Sequence, residues 1–199
     1  MVTKANVLKM TDGLFLSEVR DVARAHAQVE LTEVLVDAMA ALLVRTPSAF
    51  DVVVTTNMYG DILSDEAAEL SGGLGLGASV NAGDGHAVAQ AAHGSAPDIA
   101  GQGIANPIGQ TWTAAMMLDH LGETEAARQI VAAIEAHVLD GTVVTRDLGG
   151  DATTGAVAVV DFPTTALAFV AAVVGFWPQP LRLAPCRAVC QELNVRIKQ

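Results

Sequence analysis

Alternation of strand-like and helix-like segments predicts an α/β fold for this chain of 199 residues. Three observations carry that expectation. The run Phe50-Asp-Val-Val-Val-Thr55 is rich in β-branched residues, has no helical periodicity and lies between the Pro47 turn and Asn57, so it reads as a strand. Its unbroken apolar character predicts a sheet buried on both faces. The apolar positions Leu35, Val36, Met39, Leu42 and Leu43 recur at helical spacing. Hydrophobic residues make up 51% of the chain and charged residues 17%, which suits one large domain or two small ones with a sizeable core.

In chain order, Val2 to Leu8 reads as a short strand ending near Lys9. Thr11-Asp12-Gly13 supplies the start of a helix over Leu14 to Ala27, in which Leu16, Val19 and Ala23 share a face. A second strand is expected at Gln28 to Leu31, after which Thr32 is placed to cap the next helix and Pro47 to stop it. A helix from Gly60 to Leu70 follows the 50–55 strand, then a segment from Ser71 to Gly77 too rich in glycine for regular structure, then a turn at Gly83-Asp84-Gly85. Two further helices are expected at Pro107 to Leu121 and Glu123 to Asp140, the second ended by Gly141.

Composition narrows the function classes. A net charge of −11, with no run of Lys or Arg to offset it, repels phosphate backbones and anionic membranes, so neither nucleic acid nor a membrane surface is an expected partner. The two cysteines, Cys186 and Cys190, form no C-x-x-C pair; a disulfide framework and a cysteine zinc site are excluded, and a reducing cytoplasm fits. The N-terminus shows no apolar stretch with a small-residue cleavage site, which also points to a cytoplasmic protein. The apolar stretch Thr164 to Trp177 is shorter than the roughly 18 to 20 residues that span a bilayer and reads as a buried helix or strand pair.

Asp61 and Asp65 stand four apart in Gly60-Asp-Ile-Leu-Ser-Asp-Glu66, so on a helix both carboxylates project from one face. Two anions so placed repel unless a cation bridges them, and hard oxygen ligands favour Mg²⁺ or Mn²⁺ over zinc. Because Glu66 and Glu69 continue the acidic face, a merely solvated surface is the open alternative. Asp37, on the preceding helix, is a third candidate carboxylate that no spacing argument assigns. Gly72 to Gly77 is not a G-x-G-x-x-G fingerprint, since it neither follows a clear strand nor opens a helix. The stretch from His93 to Pro107 gathers small residues, backbone donors, one imidazole and one carboxylate in a loop that opens a helix. Those are the parts of an adenine and ribose site, in which a carboxylate accepts from a ribose diol and repels a 2′-phosphate.

Taken together these segments resemble one family, the metal-dependent β-decarboxylating dehydrogenases that act on isocitrate, 3-isopropylmalate, homoisocitrate and tartrate. Asn57-Met-Tyr-Gly-Asp-Ile-Leu-Ser-Asp-Glu-Ala67 with Gly72-Gly-Leu-Gly-Leu76 looks like the family's signature segment, and His93 to Pro107 like its nucleotide loop. Lys4-Ala-Asn6 resembles its catalytic lysine motif, and Asp37 stands where the partner subunit's metal carboxylate is found. The resemblance covers about residues 2 to 155. It implies the C-terminal half, residues 1–155, of a two-domain isopropylmalate dehydrogenase-like α/β fold, with a divergent tail over 156–199. The N-terminal half, with the arginines that clamp substrate carboxylates and the catalytic tyrosine, is expected to be absent. Gln90-Ala91-Ala92 stands where the family usually has Glu-Pro-Val.

The resemblance further implies NAD and Mg²⁺ or Mn²⁺ as cofactors and NAD-dependent oxidative decarboxylation of a 2-hydroxy di- or tricarboxylic acid. Asp61, Asp65 and a partner's Asp37 would hold the metal, Lys4 would move a proton, and Asn6 would sit near nicotinamide and substrate. His93, Gly94, Ser95, Ala96, Asp98, Ile99 and Asn106 would bind the nucleotide. A homodimer with a shared active site and a small hydroxy-acid substrate are the implied partners. The alternative reading is a non-catalytic remnant or a dimerising, nucleotide-binding subunit; these residues alone are expected to be inactive.

Overall fold

In the computed structural model, residues 1–160 are described, the side chains of 159 and 160 excepted. The 164–177 apolar stretch, Cys186, Cys190 and most of the divergent tail lie outside the described residues. The chain divides into two compact units, Met1–Gly72 and the residues from Gly73 onward. Helices and strands alternate through both.

The first unit holds β1 (Val2–Thr3), α1 (Thr11–Arg24), β2 (Val34–Leu35), α2 (Val36–Arg45) and α3 (Asn57–Leu70). β1 pairs in parallel with β2, Val2 opposite Val34 and Thr3 opposite Leu35. Val2, Met39, Leu43 and Leu63 are buried together beneath this pair, with Val34, Val36, Ala40 and Phe50 packed against them. Of the expected stripe Val36, Met39, Leu42 and Leu43 form the core face of α2, while Leu35 falls in β2 and is 37% exposed; the remaining core members come from β1 and α3. Arg20 on α1 forks onto Glu33 with contacts of 2.5 and 2.6 Å, joining α1 to the residue before β2.

Four expectations in this unit change. The first strand is only two residues long, because the chain turns after Lys4 as the amides of Val7 and Leu8 donate to its carbonyl oxygen. The second strand lies at Val34–Leu35 rather than 28–31, since its position is set by pairing with β1, including the Val34 amide bond to Met1 O at 3.0 Å, and not by local propensity. Thr32 caps nothing; α2 begins at Val36 with no side-chain cap. The 50–55 run is extended but forms no regular strand and is not buried on both faces. The Val2 amide donates to Val54 O at 2.9 Å and the Thr55 hydroxyl to Val2 O at 2.9 Å, yet Val52 is 85% exposed. A β-branched run becomes a doubly buried strand only when neighbours supply ladders and cover.

The second unit opens with a 3-10 turn at Leu74–Leu76 and a hairpin of β3 (Ala78–Ala82) and β4 (Ala87–Ala91), antiparallel with Val80 opposite Ala89, around the expected glycine turn. The hairpin was not foreseen, because half of its strand residues are alanine and few are β-branched. It packs on α4 (Ile108–His120), which packs on α5 (Thr124–Asp140). Ile108, Ala115, Leu118, Ala127, Ile130, Ile134 and Val157 form the core, the last from α6 (Thr154–Val160). Gly141 ends α5 at φ 62°, a left-handed cap that a glycine adopts without strain.

Among the described residues no helix is long and apolar enough to cross a membrane. A close approach of backbone to backbone in the second unit is at Gly109, where a Cβ would stand 2.8 Å from the carbonyl oxygens of Gly75 and Gly77. Gly109→Ala is expected to destabilise the protein by about 1–3 kcal/mol in urea unfolding. Gly13→Ala in α1, where nothing lies within 4 Å, should be neutral or stabilising by up to about 1 kcal/mol. Equal effects of the two would contradict the packing. Ile130, 1% exposed, should cost about 2–5 kcal/mol when cut to Ala in the same measurement.

Candidate functional site

Within the first unit the chain brings together Lys4 and Asp37, 33 residues apart in sequence. The Lys4 Nζ donates to Asp37 Oδ1 at 2.5 Å. The contact follows from the β1–β2 pairing, which sets the residue just after β1 beside the first turn of α2. The hydrogen bond from the Lys4 ammonium holds the Asp37 carboxyl below the usual aspartate range. Asp37 is open to solvent at 65% and Lys4 is half-buried, so the pair adds little to stability and its carboxylate stays accessible. Asn6 is exposed and lines a recess of about 350 Å³ with Thr3, Leu16, Glu33 and Leu35.

Asp61 and Asp65 both lie on α3 and both are exposed, so the four-residue spacing sets them one helical turn apart. Buried Tyr59 and Leu63 face the other way and fix which side of α3 reaches solvent. The Asn57 amide nitrogen reaches Asp61 Oδ2 at 3.4 Å. As hard, anionic oxygen donors the two carboxylates fit Mg²⁺ or Mn²⁺. Among the described residues no group of three or more His, Cys, Asp or Glu side chains comes together to hold a metal. Asp37 is engaged by Lys4, so this chain offers a pair of ligands on α3 rather than a triad.

In the second unit, His93 is half-buried, while Gly94, Ser95, Ala96 and Asp98 are exposed. His93 Nδ1 lies 2.9 Å from the Gly94 carbonyl oxygen, which can only accept, so Nδ1 is the donor of this contact. Ala96 takes the left-handed region at φ 39°, a conformation that non-glycine residues rarely hold. It turns the chain into the Pro97–Ile99 3-10 turn that carries Asp98 and Ile99. The Gln102 amide donates to the Asp98 carbonyl at 2.8 Å and leaves that carboxylate facing solvent.

Asn106 is 7% exposed, with its side chain largely engaged by protein. Its Oδ1 accepts the Ile108 amide at 2.9 Å, and its Nδ2 donates to Asp147 Oδ2 at 2.8 Å. The oxygen and one of two N–H groups are thus used in opening α4 and tying it to the 145–147 segment, where the Thr145 hydroxyl donates to Asp147 Oδ1 at 2.5 Å. Gly75 lies against this clasp; a Cβ there would meet Asp147 Oδ2 at 2.3 Å. Gln90, in place of the family glutamate, is exposed on β4 and pairs with Ser79.

Sequence reasoning missed two residues of these sites. Asp147 belongs to the segment that carries the resemblance, but no spacing reveals that it meets a side chain 41 residues away. Asp12 reads from the sequence as part of a helix start. In the structure it is 5% exposed and accepts the Lys4 amide at 2.6 Å. Tyr59 is buried beside it; burial and then the Asp12 charge hold the tyrosine hydroxyl above its usual range.

The sequence model of the isocitrate/isopropylmalate dehydrogenase family matches residues 1–161. The isocitrate/homoisocitrate dehydrogenase of Thermus thermophilus is 56% identical over 153 residues, which make up 77% of this chain and 46% of that protein. The homoisocitrate dehydrogenase of Methanocaldococcus jannaschii is 52% identical over 150 residues, 75% of this chain and 43% of its own. The crystal structure of isocitrate dehydrogenase from Methylococcus capsulatus superposes with a TM-score of 0.77 at 46% identity, covering 85% of this chain and 49% of that one. The chain spans about half the length of the relatives it matches. With the lysine, acidic-helix and nucleotide-loop motifs all inside the matched region, the chain belongs to the isocitrate/isopropylmalate dehydrogenase family.

Proposed function

We propose that this chain supplies the lysine, metal and nucleotide motifs of an NAD-dependent oxidative decarboxylase. Its substrate is a 2-hydroxy di- or tricarboxylic acid of the isocitrate, 3-isopropylmalate or tartrate type, and it works as a homodimer with a shared site. The observation that carries the reading is the arrangement in the first unit, with Lys4 in contact with Asp37 and two exposed carboxylates one turn apart on α3. The names of the relatives support the substrate class, and two of those related to it, the subunit alpha of Homo sapiens and catalytic subunit 5 of Arabidopsis thaliana, are named NAD-type isocitrate dehydrogenases.

Each residue then has a physical task. Asp61 and Asp65 would hold Mg²⁺ or Mn²⁺, with Asp37 of a second subunit as a further ligand. A bound divalent ion supplies Lewis-acid polarisation of the substrate oxygen, and NAD accepts the hydride. Lys4, a flexible amine at the end of a pinned main chain, moves the proton. Asn6 contributes an amide beside substrate and nicotinamide. The loop from His93 to Ile99 offers backbone and imidazole groups to the adenosine, and the open Asp98 carboxylate accepts from a ribose diol while repelling a 2′-phosphate.

Binding tests the reading on this chain directly. Mn²⁺ is expected to bind in calorimetry, and Asp61→Asn or Asp65→Asn to weaken it by at least about tenfold. A chain that binds neither Mn²⁺ nor NAD would overturn the proposed function. NAD should bind about tenfold more tightly than NADP, and Asp98→Lys should narrow or reverse that preference; tighter NADP binding by the unaltered chain contradicts the role of Asp98. These 199 residues alone are expected to yield no NADH with Mn²⁺ and isocitrate, isopropylmalate, tartrate or malate. Fixing the reacting atoms is worth about 7–11 kcal/mol at best, and the arginine clamp implied for the family is not among these residues.

A further inference from the structure

The Lys4 segment is held from more sides than a surface ion pair requires. Its ammonium meets Asp37, its carbonyl oxygen accepts from the amides of Val7 and Leu8 at 2.9 Å each, and its own amide donates to Asp12 Oδ2 at 2.6 Å. Asp12 is 5% exposed, and a carboxylate at that depth is strongly unfavourable unless donors satisfy it. The Thr11 hydroxyl reaches Asp12 Oδ1 at 3.4 Å, and Tyr59 of α3, 7% exposed, is buried beside the same carboxylate, whose charge helps hold the tyrosine hydroxyl above its usual range. Asp12 does not cap its own helix: the cap position of α1 is Met10, which makes no side-chain cap bond. Its Oδ2 is instead turned back to a main-chain group eight residues earlier.

We infer that Asp12 is a positioning residue for Lys4: its buried carboxylate takes the Lys4 amide and the Tyr59 hydroxyl together, and so holds the lysine segment against α3, the helix that carries Asp61 and Asp65. The inference draws its functional meaning from the proton-transfer role proposed for Lys4. A carboxylate suits this place because it accepts from two donors at once and lies in the first turn of α1, where the helix amides favour an anion. Asp12 takes only the main-chain amide of Lys4, so the backbone is pinned while the flexible side chain carries its ammonium to Asp37.

Tyr59 is the only tyrosine in the chain, so its hydrogen bond can be read by ultraviolet resonance Raman spectroscopy without overlap from another. The Lys4 amide can be read by its proton shift and exchange rate in NMR. In Asp12→Asn, which keeps the size of the side chain, the Tyr59 band is expected to lose its strong-donor character. The Lys4 amide should move upfield and exchange about tenfold faster, the worth of one charge-assisted hydrogen bond. In Tyr59→Phe the Lys4 amide should shift as well, because the bridging carboxylate loses the tyrosine as a donor; this variant decides the matter if Asp12→Asn does not fold. A Tyr59 band and a Lys4 amide both unchanged in folded Asp12→Asn would overturn the inference, as would a Lys4 amide indifferent to Tyr59→Phe. Neither readout requires turnover. Failure of Mn²⁺ and NAD binding therefore counts against the proposed function, and failure of these two signals counts against the positioning role of Asp12.

Discussion

The constraint on which the first unit depends is a buried negative charge. Asp12 can remain at 5% exposure only while donors reach it, and the Lys4 amide is a donor that the chain provides at 2.6 Å. Satisfying it stops β1 after two residues, folds the 4–8 segment into a turn and starts α1 where it does. Once the lysine segment turns there, the parallel β1–β2 pair sets Lys4 within reach of Asp37. A local electrostatic requirement thus decides how the residues of the proposed active centre are presented.

The second unit is organised by a steric constraint instead. α4 approaches the Gly75–Gly77 backbone so closely that position 109 admits no side chain without displacement. That contact lets Ile108 enter the core while Asn106, just before it, opens the helix and ties it to Asp147. The exposed loop of His93 to Ile99 is flanked by β4 on one side and by this clasp on the other. A stretch of small residues is in this way bounded by hydrogen bonds of the interior, and a binding loop is commonly carried by a rigid scaffold of that kind.

The helices were legible from the sequence because their signals are local. The apolar spacing of α2, the proline after it and the glycine at the end of α5 each act within a turn or two of where they stand. The acidic pair on α3 was legible for the same reason, since a four-residue spacing on a helix sets the two side chains one turn apart wherever the helix goes. The 50–55 run was misread because its residues report a preference for a pleated, covered surface, and whether neighbours provide that cover is not written in the run itself. The alanine-rich hairpin escaped for the converse reason: its pairing is held by the ladder and by α4, with little propensity of its own.

By itself the sequence determined the fold class, the family and the residue types offered to a divalent ion and a dinucleotide, since motif order and short-range spacing survive without coordinates. Only the tertiary structure decided that Lys4 meets Asp37, that Asp12 turns back to the lysine segment, and that the Asn106 amide is largely spent on Asp147 and Ile108. The physical reason is the same in each case. Polar groups, whether buried as at Asp12 and Asn106 or at the surface as at Asp37, meet the partners that lie beside them after folding, at separations of 33 and 41 residues for the first and last of these contacts.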